Sequence, residues 1–326
     1  MSPSPKKLTI TFPLYLQHEM VERAWTALAE QTFTDFKIVC LDDKSPQSFD
    51  DLAQKFSTTL DITIIKNKVN LGAMQNIWQS IQLPTDTPYL LSHHADDFLK
   101  SDYLEKAVAI LDNNPDVSFV VTGPTWVKAD MPYSNTTLGT TLIEYFNAAD
   151  FAKNILNFAP YIFGAVVYRQ NHIITDWKLA TMDTYADRYF LGEILRSHGT
   201  RGAFIHGAGI FEHDHAKDPT DNRSPSLHED HAIALLAFYK QLLLEKYPVS
   251  QVETIITNGL LYYYSNFETR SGFLAFYKKQ RPYHLLQLWR LRTLGLYALL
   301  VLPLNTTAKR RMMHSIKKIR TTFHFL

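Results

Sequence analysis

Between residues 8 and 92 the hydrophobic period of the sequence switches repeatedly between two and 3.6, and this alternation restricts the fold more than any other feature. Residues 8–12, 36–41, 62–65 and 89–92 read as strands. Residues 17–31, 48–56 and 72–81 read as helices, the first with Met20, Val21, Ala24, Trp25 and Leu28 at helical spacing. A βαβαβαβ order predicts an α/β fold with a mostly parallel sheet flanked by helices, whose ligands gather beyond the carboxyl ends of the strands. Further strands are expected at 117–121, 161–168 and 202–211, with a helix over 184–197. Residues 213–227 read as loop, and the chain reads as helical from 228 onward.

The residues just past each strand therefore carry the chemistry. The first strand runs into Pro13-Leu14-Tyr15-Leu16 without a glycine, which excludes the glycine-rich dinucleotide fingerprint and the P-loop. A nucleoside diphosphate here would need its charge neutralised by other means, most simply by a metal. Acidic pairs stand where such a metal would be held: Asp42-Asp43 ends the second strand, and Asp96-Asp97 follows Ser92-His93-His94-Ala95 after the fourth. Adjacent carboxylates repel and lose hydration, a cost usually offset by a cation. The plainer alternative is that these acids cap loops and the next helix.

Three segments in order resemble family 2 glycosyltransferases. Pro13, a helix ending near Gln31-Thr32-Phe33, and the run Phe36 through Leu41 into Asp42-Asp43-Lys44-Ser45 are similar to that family's opening. Asn70-Leu71-Gly72-Ala73-Met74-Gln75-Asn76 resembles its N-x-G-x-x-x-N segment, and His94-Ala95-Asp96-Asp97 stands where the family has its D-x-D motif.

The resemblance implies a GT-A type nucleotide-diphospho-sugar transferase fold with a helical C-terminal extension, and an inverting transfer from a nucleotide-sugar, in the first place a UDP-sugar, to a glycan or lipid-linked acceptor. It implies that Pro13 and Tyr15 shape the nucleobase pocket, that Asp42, with Asp43, Asn76, His94 and Asp96, contacts the donor, and that Asp96 and Asp97 hold Mn²⁺ or Mg²⁺. Oxygen donors suit either ion, and His94 in place of the family's first acid tilts the choice toward Mn²⁺. The family's base lies on an E-D motif, matched here by Ala186-Asp187; Asp183, four residues earlier, is the second candidate. His213 and His215 are placed by the resemblance near the diphosphate or metal, with a solvated loop as the alternative. Phe163-Gly164 and Trp177 border the acceptor by position alone. Cys40, mid-strand and the only cysteine, reads as core, and Tyr262-Tyr263-Tyr264 as helix packing.

Charge divides the chain. Residues 269–326 hold 12 Lys and Arg and no acid, so the preceding residues carry 21 basic and 32 acidic groups. Residues 285–304 are the most apolar stretch, but Arg290 and Arg292 interrupt it and leave a run too short to span a bilayer, for which roughly 20 residues are needed. Flanked by Lys279, Arg281, Lys309, Arg310 and Arg311, it reads as an interfacial helix on an anionic membrane, with core or oligomer packing as the alternative. The expected divisions are 1–220, the transferase domain, and 221–326, the helical membrane-associating region. The N-terminus lacks the apolar length of a signal peptide, so the expected location is cytoplasmic, peripheral on the inner face of the cell membrane. A nucleic-acid partner is not expected. Two other functions stand open: a non-catalytic scaffold of the same fold, and a sugar-phosphate nucleotidyltransferase, which would want a glycine-rich first loop.

Overall fold

The structure is a computed structural model that describes residues 5–95, 97–126, 141–156, 161, 163–175, 186–212 and 225–264, with the backbone alone at 124–126, 207–212, 225–232 and 257–264. The chain forms two compact units, Met1–Phe151 with Ala159–Asn222, and Ala152–Phe158 with Arg223–Leu326.

In the first unit the expected alternation is present as β1 (Leu8–Leu14), α1 (His18–Ala29), β2 (Phe36–Asp42), α2 (Asp50–Phe56), β3 (Ile62–Lys66), α3 (Ala73–Ile81) and β4 (Tyr89–Ser92). The elements that follow are β5 (Asp97–Phe98), α4 (Tyr103–Asn113), β6 (Val117–Trp126), β7 (Ile143–Phe146), α5 (Ala148–Leu156), β8 (Val167–Arg169), α6 (Ala186–His198) and β9 (Arg201–Glu212). Among the described residues the sheet has nine strands in the order β3-β2-β1-β4-β8-β6-β9-β5, with β7 on β9. The first four strands are parallel, while β8 runs antiparallel to both β4 and β6.

Because β2 and β3 lie on one side of β1 and β4 on the other, the chain reverses direction across the sheet at β1/β4. Such a switch point opens a crevice beyond the strand ends where ligands bind. Alternation places Leu8, Ile10, Phe12 and Leu14 in one core cluster with Val21, Ala24, Trp25 and Leu28 of α1 and Leu104, Val108 and Leu111 of α4. On the other face α3 and α6 meet through Trp78 and Phe190, whose ring centroids lie 5.4 Å apart, and Ser80 of α3 bonds Ser92 of β4 at 2.8 Å.

Three expectations are corrected. Residues 161–168 do not form one strand: a 3-10 turn, Phe163–Ala165, precedes the three residues of β8. The loop expected over 213–227 does not reach 227, since α7 (Pro225–Leu244) starts at Pro225, a residue whose fixed φ and missing N–H suit a first helical turn. Helix α1 begins at His18 and not at 17, because Leu16 and Gln17 are left-handed (φ 57° and 56°). In the second unit α7 and α8 (Val249–Tyr264) bury Leu236, Tyr239, Leu243, Val252 and Ile256. Among the described residues no helix is long and apolar enough to cross a membrane. Residues 265–326, with the whole basic tail, lie outside the described residues.

Candidate active site

The β1 end is built for a chain that must leave the sheet sharply. The Thr11 carbonyl accepts from His93 N–H on the β4 side, and the Leu14 carbonyl accepts from Asp43 N–H on the β2 side. Pro13, two residues beyond Thr11, thus faces the β4 side, past Ser92, the last β4 residue in register; its missing N–H costs no ladder bond. Tyr15 is 47% exposed just beyond. Three non-glycine residues here hold φ above zero, Leu16, Gln17 and Lys44 (61°), all past the ends of β1 and β2. Backbone strain of this kind concentrates at functional sites. Leu16 N–H donates to Ser45 Oγ (3.3 Å) and Ser45 N–H to Asp42 Oδ1 (2.9 Å), so buried Asp42 ties the two loops together. A cavity of about 400 Å³ opens beside them, lined by Leu16, Gln17, His18, Glu19, Met20 and Gln47.

Asp43 and Asn76 are both buried and engaged with protein. Asp43 Oδ1 accepts from Leu71 N–H (2.7 Å) and the Asn67 amide (3.0 Å), and Oδ2 accepts from Gly72 N–H (2.9 Å). Asn76 donates to the Leu41 carbonyl (2.9 Å) and accepts from Asn67 (3.1 Å). Gly72, at φ 83°, precedes α3 in a conformation that L side chains rarely adopt. The N-x-G-x-x-x-N segment is therefore a loop clasped by Asp43 and pinned to β2 by Asn76.

Past β4, His93 is buried and its Nδ1 lies 2.7 Å from the Gly164 carbonyl. A carbonyl only accepts, so Nδ1 carries the proton. The buried Tyr103 hydroxyl, its pKa pushed up by burial, donates to the next carbonyl, Ala165, at 2.6 Å. These two bonds hold the 3-10 turn against the acidic motif. A Cβ built on Gly164 would sit 2.5 Å from Asp97 Oδ2 and 2.9 Å from His94 Cγ, so only glycine lets the turn approach. Asp97 is buried, with Oδ2 3.9 Å from Nδ1 of His94, and the His94 ring lies 6.0 Å from that of Phe163.

The same turn leads to the candidate base. Asp187 lies in the first turn of α6 and accepts a 2.7 Å bond from the Tyr161 hydroxyl. Phe163 packs on Trp78 (5.7 Å), which packs on Phe190 of the same helix. Tyr161 therefore meets Asp187, while Phe163 lies against His94 and Gly164 against His94 and Asp97. Tyr161 and His93 drew no role from the sequence, because neither stands in a motif and both act on residues distant along the chain. Asp96, Asp183, His213, His215 and Trp177 lie outside the described residues. Cys40 is buried and its thiol is pushed up by burial and by the Asp42 charge, as befits a core residue. Among the described residues no three His, Cys, Asp or Glu side chains gather as a metal cluster.

Residues 9–175, just over half of the chain, match the sequence profile described as glycosyl transferase family 2. The chain belongs to this family. As a family 2 glycosyltransferase it is similar to an uncharacterised glycosyltransferase of Haemophilus influenzae, at 25% identity over 114 residues, 35% of this chain and 37% of that protein. The match thus spans little more than a third of that relative. The structure of S. aureus TarS 1–349 in complex with UDP-GlcNAc superposes with a TM-score of 0.57 at 15% identity, covering 98% of this chain and 91% of that one. A second structure of TarS 1–349 gives 0.53 at 14% identity, covering 91% and 81%. At such identity the likeness shows the fold, which is the GT-A type.

Proposed function

We propose that this glycosyltransferase moves a sugar from a nucleoside-diphosphate donor, in the first place a UDP-sugar, to a hydroxyl of a glycan or lipid-linked acceptor with inversion. One observation carries the reading: Tyr161 bonds the acid at Asp187, and Gly164, three residues on in the chain, lies against His94 and Asp97 beside the β1/β4 switch point. Family membership, and the complex of TarS with UDP-GlcNAc, support the choice of donor.

In this reading Asp187 takes the proton of the acceptor hydroxyl as its oxygen bonds to the anomeric carbon. The bond from that carbon to the diphosphate oxygen breaks, and its electron pair leaves with the nucleoside diphosphate. A single displacement inverts the configuration. Asp187 Oδ1, the oxygen not bonded by Tyr161, would take this proton.

A divalent ion fits the donor set, because Gly164 leaves the Asp97 carboxylate a cradle that a Cβ would fill and an imidazole stands beside it. Asp97 with His94 would hold Mn²⁺ or Mg²⁺ there, together with Asp96, and the ion when bound would neutralise the leaving diphosphate. Tyr15 and Asp42, with the cavity beyond Leu16, would receive the nucleobase and ribose. Asp43 and Asn76 are better read as supports of the Asn70–Gly72 loop than as donor contacts, since their polar atoms are already bonded to protein.

The basic tail favours peripheral contact with an anionic membrane. Co-sedimentation with anionic vesicles, weakened by deletion from Thr269, would support it; equal binding by the truncated chain would not. For the transfer itself, UDP release from a panel of UDP-sugars is measured in Mn²⁺ and in EDTA. Turnover of at least one sugar in Mn²⁺ and its loss in EDTA are expected, whereas donor binding without turnover of any sugar points to the scaffold reading.

A further inference from the structure

The Tyr161 hydroxyl donates to Asp187 Oδ2 at 2.7 Å, and its ring stands 5.8 Å from that of Phe151. Further along the chain, the Gly164 carbonyl is bonded by His93 and the Ala165 carbonyl by Tyr103. The hydroxyl is thus a donor to an acid on a different element, 26 residues further along the chain. We infer that Tyr161 is a positioning residue for the base, its hydroxyl fixing the Asp187 carboxylate so that the second oxygen faces the acceptor.

This rests on the reading of Asp187 as the base. The chemistry follows from which form the bond favours. A hydroxyl donating to a carboxylate stabilises the ionised state, which is the form able to take a proton, and it fixes one oxygen so that the other keeps a constant direction. Among the described residues, Asp187 interacts with the Tyr161 hydroxyl and, electrostatically, with the buried Tyr168 of β8. Burial first, and then the Asp187 charge, push the Tyr168 hydroxyl up. Tyr168 is thus a neutral neighbour throughout the working range, and Tyr161 is the neighbour that donates.

The variant Tyr161→Phe removes the hydroxyl and keeps the ring against Phe151. The readout on the full chain is UDP release from UDP-sugars in Mn²⁺, with kcat and the donor KM determined separately. In Tyr161→Phe kcat should fall roughly tenfold with the donor KM unchanged. In an Asp187→Asn background the same change should have no further effect on rate, because residues that act through one another are non-additive. An unchanged kcat in a folded Tyr161→Phe protein, or a fall in it that persists in the Asp187→Asn background, overturns the inference while leaving the base assignment intact. Undiminished transfer by Asp187→Asn overturns the base assignment, and this inference with it.

Discussion

At the end of β2 the Asp43 carboxylate accepts three hydrogen bonds, from Leu71, Gly72 and Asn67, whereas at the end of β4 the Asp97 carboxylate faces a glycine that has left it room. The two acids look alike in sequence, each the second of an Asp-Asp pair just past a parallel strand, and both are buried. What separates them is what folds over them. A loop of backbone donors closes on Asp43 and turns it into a clasp. The turn that meets Asp97 presents no side chain at Gly164, and Tyr161 on the same segment reaches Asp187. An acidic pair at a strand end is therefore a question about the approaching segment, and the answer differs between neighbouring strands.

The strongest way to break this comparison is at the reactive end. Asp187→Asn should lower transfer by roughly 10² to 10⁴, the usual share of a positioned base, with UDP affinity unchanged. Retained transfer, measured by UDP release, would remove the link between residues 161–164 and chemistry. On the clasp side, Asp43→Ala leaves two backbone N–H groups and an amide without their acceptor. A loss of about 3 kcal/mol is expected, read as a lower urea midpoint, and a stability equal to wild type would return Asp43 to the role of a donor contact.

A smaller effect tests the room at Asp97. Gly164→Ala puts a Cβ 2.5 Å from Asp97 Oδ2 and should weaken UDP binding in Mn²⁺ by roughly tenfold, as disturbances of the shell around metal ligands do. Calorimetry would show it, and unchanged affinity would mean that the carboxylate moves aside freely. Smallest of all, Gly72→Ala strains a residue at φ 83° with no steric contact, so about 1 kcal/mol of stability should be lost and little catalysis. A larger fall in rate than in stability would give the clasped loop a direct part in binding.

The halves of the sheet also differ in how openly the sequence declares them. Strands β1 to β4 are short apolar-rich runs, β1 alternating, separated by helices, so their succession along the chain follows from local pattern. Beyond β4 the pairings are non-local and short: β5 is two residues on β9, and β8 is three residues between β4 and β6. A strand of that length carries no period, which is why 161–168 reads as one strand and contains a turn. Helices α4 and α5 and strand β7 are likewise not among the elements expected from the sequence. The site shows the same division. Pro13, Asp42 and Asp97 could be placed from the strand ends, and Asp187 from resemblance. That Asp43 holds Leu71 and Gly72, or that Gly164 meets Asp97, depends on contacts 28 to 67 residues apart that no local signal records.

The most direct test of the difference between the two strand ends is UDP affinity, measured by calorimetry in Mn²⁺ and in EDTA, for wild type and Asp97→Ala. Wild type should bind UDP more tightly in Mn²⁺ than in EDTA, and Asp97→Ala should bind with the same weak affinity in both while unfolding at the wild-type temperature. An Asp97→Ala protein that keeps the full Mn²⁺ enhancement would contradict the assignment of the β4 end as the metal and donor site.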